Sequence, residues 1–138
     1  MPKIHRLPDR PGDTEKITIN LGHVDLGRID LLVREGFYSN RTDFIRSAIR
    51  SQLTAESQAV EQSVARHRFE MGLFDVSRAD LEALRDAGEV LHLRVVGLAR
   101  IASDVDADLA QATIGSLNVL GSLQAPKDVK AALADRIT

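Results

Sequence analysis

The chain has 138 residues, room for one ordinary domain or two small ones, and 43% of them are apolar, enough to build a core. It has no cysteine, which excludes disulfides, thiolate metal sites and a cysteine nucleophile. It also has no tryptophan, so Leu, Ile, Val and Ala must fill the core. The net charge of −2 argues against a protein held to nucleic acid by bulk charge, yet residues 1–53 carry nine Lys or Arg against seven Asp or Glu, and the acidic excess lies beyond them. Exposed charges more than about 10 Å apart are screened at ordinary salt, so an acidic second half does not forbid anion binding by the first.

Residues 1–14 hold three prolines, one glycine and scattered charges, the composition of a flexible arm. Lys3, Arg6 and Arg10 suit phosphate contacts or a plain solvated tail. The arm has no apolar segment of the signal-peptide kind, and no apolar run approaches the length of a membrane span, so a cytoplasmic protein is expected. Residues 16–21, Lys-Ile-Thr-Ile-Asn-Leu, alternate with period two. Ile17, Ile19 and Leu21 share one face and Lys16, Thr18 and Asn20 the other, the pattern of a half-buried strand. A helix is expected from Val24 to Glu35, with an apolar stripe of Val24, Ile29, Leu32 and Val33, and Gly36 as its left-handed cap. A second helix follows Phe37-Tyr38, with Ser39 as N-cap and Asn40 as the alternative, and with Ile45, Ala48, Ile49 and Leu53 at helical spacing. Arg46 and Arg50 fall on its flanking faces.

Residues 54–72 are rich in Ala, Gln, Glu and Ser and predict an exposed helical linker, broken at Gly72-Leu73-Phe74-Asp75. Residues 77–87, with Ser77 as cap and Leu81 and Leu84 on one face, predict a further helix. Beyond them lies an internal repeat. Residues 93–110 align without a gap on residues 117–134, at a constant offset of 24, with identities that include Leu93/Leu117, Val95/Val119, Gly97/Gly121 and Val105/Val129. Each copy reads as a short strand, a glycine turn and a helix. Ser103 or Asp104 would cap the first of these helices, and Pro126 suits the first turn of the second. Such a period belongs to strand-and-helix stacks, and so short a stack is expected to complete its core against another chain.

The order strand, helix, glycine turn, helix within residues 15–53 resembles the ribbon-helix-helix family, which includes the Arc, MetJ and CopG-like repressors. Lys16-Ile-Thr-Ile-Asn-Leu looks like the family's strand. Ile29-Asp-Leu-Leu-Val33 is similar to its first-helix core. Ser39 to Arg50 resembles the start and body of its second helix, and Gly22-His23 departs from the proline or longer link common in the family. The resemblance implies an intertwined dimer whose strands pair as a two-stranded antiparallel ribbon and enter the major groove of double-stranded DNA. On physical grounds too, so small a unit needs a second copy to bury a core. Lys16, Thr18 and Asn20 would then contact bases, since Asn suits adenine, Lys suits guanine, and Thr suits a base edge or a thymine methyl. Ser39, Asn40 and Arg41, at a helix start, would contact phosphates. Ile17, Ile19, Leu21, Ile29, Val33, Ile45 and Ile49 would form the dimer core.

Other chemistry finds no support in the residue pattern. The four histidines, His5, His23, His67 and His92, form no His-x-His or His-x3-His pair, and His92 alternates with leucines on the polar side of a strand, so no metal site is expected. Asp104, Asp106 and Asp108 suit a helix N-terminus but lack the glycine and closing glutamate of a calcium loop. No nucleophile-base arrangement is evident, so neither catalysis nor a cofactor is expected. The chain is thus expected to be α+β: an arm (1–14), a ribbon-helix-helix unit (15–53), a helical linker (54–72) and a small α/β repeat unit for oligomerisation or sensing (73–138). The function expected is a dimeric transcriptional repressor, joined into tetramers or larger assemblies through residues 73–138. The alternatives are an antitoxin that regulates its own gene and binds a toxin, a structural assembly protein built on the repeats, and a ligand-gated regulator.

Overall fold

A computed structural model of the chain describes residues 5–7 and 14–138. Within them the elements run β1 (His5–Leu7), α1 (His23–Arg34), α2 (Arg41–Ala55), α3 (Ser57–Arg66), β2 (Glu70–Val76), α4 (Arg78–Ala87), β3 (Leu91–Ile101), α5 (Ala107–Thr113), β4 (Ile114–Gln124) and α6 (Lys127–Ala132), with a 3-10 turn at Ala134–Arg136. Two units separate: Thr14–Ser63, and Val64–Thr138 together with the N-terminal strand.

The second unit is built on a four-stranded sheet in the order β1-β2-β3-β4, antiparallel between β1 and β2 and parallel from β2 to β4. Three residues of the expected arm, His5–Leu7, therefore form an edge strand; Lys3 and Arg10 lie outside the described residues. Apolar side chains of β2, β3 and β4 pack with those of the intervening helices in one core, centred on the fully buried Val76, Leu81, Val95, Leu117, Val129 and Leu133. Two of its helices, α4 and α5, start where a side chain supplies an acceptor for the unpaired N–H groups. Ser77 and Asp80 form a reciprocal capping box on α4, as the sequence suggests. On α5 the cap is Asp106, which accepts from the Leu109 N–H, and not Ser103 or Asp104: the turn at Ala102–Val105 first has to place Val105 in the core.

The expected linker also differs. α2 ends at Ala55 with Glu56 as its C-cap, α3 is a separate short helix, and the chain turns at Arg68, whose φ is +55°. Met71 and Gly72 then belong to β2, because Glu70–Val76 pairs along its whole length with Val95–Ile101.

The glycines expected as turns lie inside strands. Gly72, Gly97 and Gly121 are direct neighbours across β2, β3 and β4, with φ of +143°, +138° and +125°. A Cβ on Gly97 would sit 2.1 Å from the Gly72 carbonyl oxygen, and one on Gly121 would sit 2.1 Å from the Gly97 oxygen. Only glycine tolerates both the backbone angle and the close carbonyl. The residues aligned at an offset of 24 in the sequence are the facing residues of this ladder, as in Leu93–Leu117, Val95–Val119 and Gly97–Gly121.

Candidate nucleic-acid interface

The unit Thr14–Ser63 begins with residues 14–22, which carry no ladder within the single chain and are all exposed. Ile17, Ile19 and Leu21 are 73%, 56% and 37% exposed, and Lys16, Thr18 and Asn20 alternate with them. α1 begins after Gly22 and keeps one fully buried side chain, Ile29, with Leu32 and Val33 half-buried. It ends as its sequence dictates. Gly36 takes φ of +86°, its N–H bonds to the Val33 carbonyl at 3.1 Å, and the Phe37 N–H bonds to the Leu32 carbonyl at 3.0 Å. This pair of bonds is the Schellman closure that glycine permits. Tyr38 then meets Phe44 edge to face, with ring centroids 5.0 Å apart, and this contact fixes the turn into α2.

The N-cap of α2 is Asn40, not Ser39. The Asn40 side-chain oxygen accepts from the Asp43 N–H at 2.8 Å, while the Ser39 N–H donates to the Asp43 carboxylate at 2.9 Å. Asp43 occupies the third helical position and reaches back past the cap, which draws Ser39 outside the helix. Arg41, the first residue of α2, donates through Nε and a terminal nitrogen to both carboxylate oxygens of Asp30 on α1, each at 2.8 Å. The Arg41 guanidinium holds the Asp30 carboxyl below the usual aspartate range, and the carboxylate in turn raises Arg41. The sequence assigns Arg41 to phosphate or to the edge of the core and does not anticipate this ion pair. The pairing is visible in the sequence only as opposite charges on either side of the turn between two helices, a weak signal.

Five of the seven expected dimer-core residues come together. Ile19, Leu21, Ile29, Ile45 and Ile49, with Phe44 and Ala48, line an apolar groove of about 420 Å³ at whose rim lie Asp25 and Arg28. Val33 is half-buried outside the groove lining, and Ile17, 73% exposed, also lies outside it. Further apolar side chains stay exposed on the same unit: Val24, Leu31, Phe37 and Leu53.

The unit thus holds an alternating apolar and polar segment, two helices joined through a glycine cap, and an apolar groove between them. Residues 12–130 match the Ribbon-Helix-Helix transcriptional regulator family, and the chain belongs to it. The match runs through both units. By class the protein is therefore a DNA-binding regulator of transcription. No curated protein and no solved structure matches the chain. Among the described residues no helix is long and apolar enough to cross a membrane.

Proposed function

We propose that the protein is a sequence-specific transcriptional repressor that acts as a homodimer. Residues 16–21 of two copies pair antiparallel, and the resulting ribbon lies in the major groove of its operator. The observation that carries this reading is the exposed row Ile17, Ile19 and Leu21 beside the apolar groove between α1 and α2. An apolar row left in water beside an apolar groove is surface that a second copy of the same segment would bury. Burying the row leaves Lys16, Thr18 and Asn20 of both strands on the outer face, where a two-stranded ribbon meets base edges. The helix start at Asn40 and Arg41 then flanks the ribbon and suits phosphate, with Asp30 competing for the Arg41 guanidinium.

The antitoxin alternative calls for a toxin-binding segment that orders on its partner, and it gains no support from a second unit that packs its own core. The test is selection of bound sequences from a random DNA pool, repeated with Lys16→Ala, Thr18→Ala and Asn20→Ala. The parent chain should enrich one short, two-fold-related motif. Each variant should lose discrimination of about 1–3 kcal/mol at one position per half-site while keeping much of its salt-dependent background binding. Unchanged motifs in all three variants would contradict the reading.

A further inference from the structure

We propose that β4 is a second self-association strand, pairing antiparallel with β4 of another copy about a two-fold axis at Gly121. β4 ends the strand order, so one edge of it faces away from the sheet. Natural edge strands are commonly guarded by charge, proline or a covering segment. β4 spans eleven residues, Ile-Gly-Ser-Leu-Asn-Val-Leu-Gly-Ser-Leu-Gln, without a charge or a proline. Among the described residues, the cover on its outer edge is local: Ile137 bridges Leu117, and the Thr138 N–H bonds to the Leu117 carbonyl at 2.8 Å. This cover stops short of the stretch from Asn118 to Gln124.

The choice of a second copy as occupant comes from the chemistry of that stretch. Read outward from Gly121 in both directions, it is self-complementary. An antiparallel pairing centred on Gly121 sets Asn118 opposite Gln124, whose amide nitrogen can donate to the Asn118 side chain while its oxygen accepts from Arg100 Nε at 3.2 Å. It sets Val119 opposite Leu123, both packed against the core. It sets Leu120 opposite Ser122, and the two glycines meet on the axis. With no charge on the strand, two copies meet without repulsion. The pairing would also cover Leu120, which is 56% exposed. It extends the repressor reading, because dimers joined through β4 would bind neighbouring half-sites with raised effective concentration.

The chain has no cysteine, so disulfide trapping reads the register directly. Full-length Leu120→Cys and Ser122→Cys chains are mixed in equal amounts and oxidised, and the products are counted by mass spectrometry. Facing positions across antiparallel strands lie within disulfide reach and diagonal ones do not, so the mixed disulfide should exceed each same-residue product by about tenfold. Asn118→Cys mixed with Gln124→Cys obeys the same register and should behave alike, which guards against a fold defect at one site. Asn118→Cys mixed with Leu120→Cys violates it and should show no such preference. Products at the random-collision ratio in both facing pairs, or no disulfide at all, would overturn the proposal. Failure of the operator reading shows in the DNA selection and leaves this measurement unaffected.

Discussion

Arg41 is pulled two ways: toward Asp30 on α1, which it grips with two hydrogen bonds, and toward the phosphate that a helix start attracts. In the free protein the first partner holds it. Because the Asp30 carboxyl is lowered by this arginine, the pair supports the fold above the ordinary aspartate value of 3.8 and ceases to do so as pH falls through the lower folded value. Asp30→Asn should therefore melt below the parent at neutral pH, and the gap should close in acid below that range, measured by thermal unfolding at fixed protein concentration. Both side chains are well exposed, so the gap should be small. The cap one residue earlier makes a sharper case. Asn40→Ala should cost about 1 kcal/mol in a denaturant melt, whereas Ser39→Ala should cost little, because only Asn40 supplies a side-chain acceptor to the helix. Sequence reading brought the cap to within one residue of its place. It prefers Ser39 to Asn40, and the true choice depends on Asp43 reaching back to the Ser39 N–H.

At the scale of elements, the helices were legible where their local chemistry is self-contained. Ser77 before α4, Leu81 and Leu84 on one face of it, and Gly36 closing α1 all act as their sequence positions indicate. The strands were less so. A positive-φ glycine has the same sequence signature in a turn as in the middle of a strand, and Gly97 and Gly121 were read as turns for that reason. What distinguishes them is a neighbour 24 or 25 residues away in the chain, which local reading does not see. The consequence is measurable. Gly97→Ala meets the Gly72 oxygen as well as an unfavourable φ, and the backbone strain alone should cost about 1–3 kcal/mol. Gly36→Ala has a positive φ but nothing within 4 Å, so it should cost about 1 kcal/mol, the penalty for placing a Cβ in the left-handed region. Urea melts of the two variants should rank Gly97→Ala as the less stable.

The whole molecule joins a small unit with much apolar surface still exposed to a unit with a complete core. Among the described residues, eight of the eleven large apolar side chains that remain exposed lie between Ile17 and Leu53, and this concentration supports association through the first unit. Ile45→Asp, which places a charge in the groove, should shift the chain to a smaller species by sedimentation and reduce operator binding at the same protein concentration, while the second unit keeps its fold. The groove was legible because helical spacing marks its helix residues, whereas residues 16–21, expected as a strand, pair with nothing within the single chain; Phe44 was missed from the groove lining because it sits beside the helical stripe. The most direct measurement is solution NMR on a dimer in which only one copy carries isotope labels. Cross-strand contacts between residues 16–21 of the labelled copy and the same residues of the unlabelled copy are predicted, with Lys16, Thr18 and Asn20 showing the largest shifts when operator DNA is added. A segment that makes no contact with its counterpart, or DNA-induced shifts confined to other surfaces, would contradict the account.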